Sequence, residues 1–351
     1  MLPVGAHGGD LLSRWARGQH AEVIAIVDEI AKFYSFIRTW SFLNGSYWAG
    51  RTFTLTEDVL RSFLDMLAAR GVKVLLSQGD LFQSGVSSGT QACVQEIILS
   101  VLRTHRACFV GLDGCNEPCN NSDASPAELA EWVRPFVRAY PDLPVSLGSI
   151  VEGPNGQAHQ QRRRDYCIPP ATVFDHHISA PNHMESLLIG RHWAEGYESP
   201  LWLHVASEPR GPGARVTPPV VEDVDLLCAM AIASVMSGGI YVGFSGPGVI
   251  SDEGERIEDM AGFAEVPQAV ALLPKDVHRW HRFHGGSGNR GKRVYAVPSD
   301  DSARAEHALC DDGRFVALLH PNNGGCWAER PHRIEKQVDF GGAARLVIGT
   351  V

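Results

Sequence analysis

The chain has 351 residues, 44% of them hydrophobic and 20% charged, with a formal net charge of -9. That is ordinary globular composition, enough for one large α/β domain and a small appendage. The 31 basic and 40 acidic residues are spread without long blocks, so the basic footprint of a nucleic-acid partner is missing, and no stretch approaches the ~18 apolar residues of a membrane span.

The opening MLPVGAHGGDLL has neither a charged n-region nor an apolar h-region, so no secretion signal is expected here. Eight cysteines over this length do not make a disulfide scaffold, and their spacings match no zinc pattern. These features fit a reducing compartment, or a part of a larger secreted or virion protein. The one strong basic cluster, Arg162-Arg163-Arg164, reads as a solvated loop rather than a polyanion site.

In chain order, short apolar runs alternate with helical patterns. A first strand is predicted to end near Val4. The next segment, about Ala21 to Phe33, carries Val23, Ile26, Val27 and Ile30 at helical spacing. FIRTWSF (Phe36 to Phe42) follows as the second strand, and a polar aromatic loop runs on to Phe53. Thr56 is the expected N-cap of a helix whose apolar face is Val59, Leu60, Phe63, Leu64 and Leu67. Gly71 closes that helix, and VKVLL (Val72 to Leu76) opens the third strand.

The unit then repeats. A helix is predicted over about Thr90 to Arg103, then the strand ACFVGL (Ala107 to Leu112). Ser125-Pro126 starts a helix with a capping serine, a first-turn proline and an acidic residue. Pro144 to Leu147 reads as a fifth strand, Ala171 to His177 as the sixth and Leu201 to Ser207 as the seventh. A helix from Val221 to Met236 leads to the eighth, Gly239 to Ser245. Eight strands in strict alternation with helices predict a (β/α)8 TIM barrel over residues 1–284. A doubly wound open sheet is the runner-up, but Gly5, Gly8 and Gly9 do not fit its phosphate-binding turn. Beyond about Gly285, the runs RVYAVPS, RFVALLHP, QVDF and ARLVIG predict a small C-terminal β subdomain over 285–351, expected to act as a structural cap.

Barrel enzymes keep their reacting groups at the carboxyl ends of the strands. Strand two is followed by Arg38, Trp40, Asn44, Tyr47 and Trp48. Gln78 and Asp80 follow strand three; Asp113, Asn116 and Glu117 follow strand four. Asp175, His176 and His177 end strand six, and Glu208 and Arg210 follow strand seven. The set is rich in carboxylates and aromatics, with no serine elbow and no P-loop.

Asn116-Glu117-Pro118 after strand four, with Glu208 after strand seven and Arg38 on strand two, resembles the retaining glycoside hydrolases of clan A, the cellulase-like superfamily. The resemblance covers the barrel in order and spacing. It implies cleavage of a β-linked oligo- or polysaccharide with Glu117 as acid/base, Glu208 as nucleophile, and Asn116 on the sugar 2-hydroxyl. It also implies that Arg38 supports the nucleophile and that His176 or His177 is the strand-six histidine. Two departures stand out: strand eight has no closing tryptophan, Phe244 being nearest, and strand three has Gln78 and Asp80 in place of a histidine.

Two carboxyls suit an oxocarbenium-like transition state, because one must protonate the leaving oxygen while the other attacks the anomeric carbon. Arg38 beside Glu208 would keep that carboxylate charged, and Glu117 would hold its proton longer. Trp40, Tyr47 and Trp48 offer faces for a pyranose, and Trp40 serves equally well as core. His176 and His177 alternate along a strand, so one of them at most faces the site. Cys115 and Cys119 flank the motif as free thiols or as a short disulfide. His278, His281 and His284 sit near an expected helix end, where a cation is favoured without any metal. Neither a metal nor a cofactor is expected. The competing readings are a non-catalytic sugar-binding or structural barrel and a metal-dependent barrel hydrolase; the latter would want a His-x-His pair on strand one, where only His7 is found.

Overall fold

The structure, a computed structural model, describes residues 3–44, 50–118, 122, 124–151, 165–179, 201–206, 224–236, 238–244, 262–277, 280–284, 305–309, 312–319, 333–341 and 344–350. Nine strands form one parallel sheet: β1 (Val4–His7), β2 (Phe36–Trp40), β3 (Lys73–Ser77), β4 (Phe109–Asp113), β5 (Val145–Ser146), β6 (Ser149–Val151), β7 (Phe174–Ser179), β8 (Leu201–Ala206) and β9 (Ile240–Phe244). Their order is β5-β4-β3-β2-β1-β9-β8-β7-β6. The two edge strands are neighbours in the chain. Val145 and Ser146 pair with Leu112 and Asp113 of β4, while Ser149 and Ile150 pair with Asp175 and His176 of β7. The Val145 carbonyl also accepts from the amides of Thr172 and Val173, just ahead of β7. Where one fifth strand was expected, the sheet has two short pieces on either side of Leu147-Gly148, and both of its edges fall on residues 145–151.

The described helices are α1 (Leu11–Ala16), α2 (His20–Ile30), α3 (Glu57–Ala68), α4 (Ser88–His105), α5 (Pro126–Ala139), α6 (Val224–Met236) and α7 (Glu265–Val270), and the first six lie between successive strands of this sheet. Their starts follow local chemistry. The Thr56 hydroxyl accepts from the Val59 amide, and Ser125 and Glu128 form a reciprocal capping box with Pro126 in the first turn. Two elements depart from the expectations. β1 runs on to His7 instead of ending near Val4, and a short helix, α1, that the sequence reading did not include follows Gly8 and Gly9.

The strands sort their side chains by the two-residue period. Val4, Ala6, Ile37, Val74, Leu76, Leu112, Phe174 and Tyr241 lie in the same apolar cluster as helix residues such as Val27, Leu60, Phe63, Ile98 and Val133. Phe36, Leu75, Val173 and Val242 form a separate cluster on the other face. Gly5 makes that inner layer possible, since a Cβ there would sit 2.2 Å from the Phe36 ring. Further along the inner face come His7, Arg38, Ser77, Asp113, Asp175 and His177, all buried.

A second sheet is antiparallel, with β10 (His281–His284), β11 (Ala305–Leu309), β12 (Arg314–Leu319), β13 (Arg333–Phe340) and β14 (Ala344–Thr350) in the order β10-β11-β12-β14-β13. The run RVYAVPS lies outside the described residues. His281 and His284 belong to a strand paired with β11, not to a helix end, so the helix-dipole account of these histidines is withdrawn. Between the sheets lies α6, whose residues Leu227 to Met236 are buried on every side. It contacts β8 and β9 on one hand and β11, β12, β13 and β14 on the other. Among the described residues no helix is long and apolar enough to cross a membrane.

Candidate active site

The polar inner residues meet at the carboxyl ends of β1 to β4 and β7. Arg38, on β2, is 1% exposed, and its Nη2 donates to Asp113 Oδ2 at 2.7 Å, Asn116 Oδ1 at 3.0 Å and Ser77 Oγ at 3.2 Å. Its Nη1 lies 3.5 Å from His7 Nδ1. Asp113, fully buried, also accepts from the hydroxyls of Ser77 at 2.7 Å and Ser146 at 3.0 Å. A buried arginine–aspartate pair is tolerable only when its remaining hydrogen-bonding capacity is met, and here two serines from flanking strands help to meet it. The strand register explains the meeting: His7 pairs with Arg38, Ser77 with Asp113, and Asp113 with Ser146.

Glu117 stands at the rim of this network with its side chain 27% exposed, and its Oε1 is 2.9 Å from His177 Nδ1. Its backbone is left-handed, with φ 49°, the one positive φ at a non-glycine among the described residues. Such a conformation costs on the order of 1–3 kcal/mol and persists only where neighbours hold it. Here the Glu117 amide donates to Ser149 Oγ at 3.0 Å, and the Ser149 amide donates to the Cys115 carbonyl at 3.1 Å. On the other side the Asn116 amide reaches the Gly79 carbonyl at 3.3 Å. Gly79 has φ +57°, and a Cβ there would lie 2.3 Å from the Phe42 carbonyl oxygen. The Asn-Glu-Pro turn is thus clamped between the loop after β3 and the start of β6.

Burial sets the protonation of the enclosed groups. It pushes His177 below its ordinary value against the opposing pull of Glu117, and it pushes His7 well below, with Arg38 adding to the effect. Asp175 is raised well above the usual carboxylate range, first by burial and then by the nearby Asp113 charge. The contact between His177 Nδ1 and Glu117 Oε1 holds one proton. Either the imidazole Nδ1–H donates to the carboxylate, or the carboxylic acid donates to Nδ1. Asp80, buried and accepting from the Asn44 amide at 2.9 Å, is raised by burial to about 6.

The structure therefore brings Arg38, Asn116, Glu117 and His177 into one contiguous patch. Trp40 joins it from the side, its ring edge-on to His7 at 5.7 Å between centroids. His176 points to the opposite face of β7, with its ring against Phe174 at 5.7 Å. Asp80 lies one loop outward, bracing residue 44. Tyr47, Trp48 and Glu208 lie outside the described residues. Arg38 was expected to support Glu208, and the partner it has on the described side is Asp113. Asp113, Ser77, Ser146, Ser149 and His7 were given no role from the sequence. Their common signal is inward register at strand ends, which becomes readable only once the strand bounds are known. Among the described residues no group of three or more His, Cys, Asp or Glu is arranged to hold a metal ion.

No family model and no curated sequence matches the chain. Solved structures do. One described as a glycoside hydrolase superposes with a TM-score of 0.56 at 11% identity, covering 91% of this chain and 79% of its own. A glycoside hydrolase family 5 protein from Bacteroides vulgatus gives 0.55 at 11% identity over 98% of this chain and 88% of that one. A putative alpha amylase from Salmonella typhimurium gives 0.51 at 11% identity, over 99% and 81%. At such identities the likeness concerns architecture alone: the chain shares the fold of these glycoside hydrolases.

Proposed function

We propose that this protein is a glycoside hydrolase cleaving a β-linked oligo- or polysaccharide with retention of configuration. The observation that carries the reading is Glu117. It is a strained, partly exposed carboxyl at a sheet's carboxyl end, hydrogen-bonded to a buried histidine and set directly beside an asparagine amide. In this reading Glu117 protonates the glycosidic oxygen and then, as a carboxylate, takes a proton from the attacking water. His177 holds the carboxyl in place and shares its proton. Glu208 serves as the nucleophile, Asn116 binds a sugar hydroxyl, and Trp40, Tyr47 and Trp48 supply walls for the ring. The parallel sheet is read as a closed eight-stranded barrel in which residues 145–151 act as one interrupted fifth strand. The antiparallel sheet is read as the C-terminal subdomain, 285–351, with His281–His284 joined to it by pairing.

The test is leaving-group dependence. An activated aryl glycoside departs without a proton, whereas an unactivated sugar needs one. Glu117→Gln should lower kcat/KM on the unactivated substrate by about 10²–10⁴-fold, a typical general-acid contribution, and should spare most of the first, glycosylation step on the activated one. Glu208→Gln should abolish turnover of both while the protein stays folded, and NMR of the first-formed product of the parent enzyme should show the starting anomer. Equal losses on both substrates for Glu117→Gln would remove it from the acid role; near-normal turnover by Glu208→Gln would remove the nucleophile.

A further inference from the structure

We propose that Asp113 is a positioning residue of this site: through Arg38 it fixes the amide of Asn116, and so decides which end of that amide faces the cleft. This rests on the hydrolase reading for its consequence in turnover, but the geometry stands apart from it. Arg38 Nη2 carries two hydrogens and has Asp113 Oδ2 at 2.7 Å and Asn116 Oδ1 at 3.0 Å as its nearest acceptors. With Oδ1 held down by the guanidinium, the Asn116 NH2 group is the end left for a ligand, so the side chain presents a donor and calls for an oxygen acceptor. The direction of the guanidinium is set in turn by Asp113, whose carboxylate is held by the Ser77 hydroxyl on one oxygen and the Ser146 hydroxyl on the other.

Removing the charge of Asp113 breaks that chain at a defined link. An asparagine at 113 can still accept from a serine hydroxyl, but Arg38, 1% exposed, would lose its nearest counter-charge. Its field also acts on Asp175, which lies within electrostatic reach of both Arg38 and Asp113. The guanidinium then loses the contact that aims it at Asn116 Oδ1. Lysine at 38 makes a separate break. It keeps a positive charge for Asp113, but a single ammonium lacks the planar fork that spans both acceptors.

The experiment is a crystal structure and a kinetic cycle on full-length Asp113→Asn, Arg38→Lys, Asn116→Ala and the Asp113→Asn/Asn116→Ala pair. In Asp113→Asn the Asn116 amide should leave Arg38, with the strands superposing on the parent. Asp113→Asn and Asn116→Ala should each lower kcat/KM on an aryl β-glycoside by about 10–100-fold, and the double variant should fall no more than about threefold below Asn116→Ala alone, because the two act through one contact. Multiplicative losses, or an Asn116 side chain that stays on Arg38 in Asp113→Asn, would overturn the proposal. If Asp113→Asn does not fold, the same readings are taken on Arg38→Lys. A parent protein that turns over no glycoside defeats the hydrolase reading, and the position of Asn116 in the variant crystal then decides the positioning role by itself.

Discussion

Asp80 shows how one buried carboxyl can load the fold with a pH dependence. Its ordinary value is 3.8 and burial raises it to about 6, against the hydrogen bond from the Asn44 amide, which favours the charged form. Between those values the native state holds a proton that the unfolded chain has lost, so stability falls as pH rises across that window and stays lower above it. Asp80→Asn keeps the acceptor for Asn44 and cannot ionise. It should therefore lie close to the parent near pH 4 and exceed it by about 3 kcal/mol at pH 8, read from denaturant midpoints at both pH values. A gap that is the same at pH 4 and pH 8 would show that Asp80 is not charged at the cost of burial. Site legibility at this scale was uneven. Asn116-Glu117-Pro118 could be picked out because three unusual neighbours sit together where a barrel site must lie. Asp113 was visible only as one polar residue at the end of strand four, and Ser77 and Ser146 not at all, since a serine or a lone aspartate carries no pattern until its register across neighbouring strands is known.

Among the elements, caps were readable and strand ends were not. Thr56 and the Ser125–Glu128 box act within four residues of themselves, so local chemistry specifies them. The end of β1 depends on what lies across it. Gly5 falls past the expected strand end near Val4, yet it is a strand residue whose missing side chain admits the Phe36 ring. His7 was weighed in the sequence only as a lone candidate metal ligand, whereas the continued strand carries it to Arg38. Gly5→Ala puts a methyl group into the inner layer of Phe36, Leu75, Val173 and Val242. Overpacking of this kind costs about 1–3 kcal/mol. Pairing Gly5→Ala with Phe36→Leu should recover part of that loss in thermal melts, since the smaller side chain vacates the contested space. A Gly5→Ala protein as stable as the parent would mean that Phe36 turns aside at no cost.

At the scale of the whole molecule, the two sheets are joined by a helix that has no polar face. A surface helix is expected to show an apolar stripe and a charged back, but α6 reads LCAMAIASVM from Leu227 to Met236 with every residue buried. Its neighbours account for this. One side meets β8, β9 and α7, and the other meets four strands of the antiparallel sheet. Val316, Leu318, Phe340, Ala344 and Leu346 of that sheet belong to the same continuous apolar cluster as α6 and the helices around the parallel sheet. The tail was legible from the sequence as β-rich, but not as the second wall of this helix, because composition does not say which surface a sheet covers. It follows that the parallel-sheet unit should not stand alone. Burying a large aliphatic side chain is worth roughly 1.5–3 kcal/mol, and several such groups on α6 would be bared together, against a total folding stability of about 5–15 kcal/mol. A protein ending at Trp280 should accordingly bind a hydrophobic dye, lose cooperative melting and associate, while adding the missing segment as a separate chain should restore part of the melt. A monomeric, cooperatively melting 1–280 protein within a few degrees of the full chain would show that α6 can be covered without the second sheet.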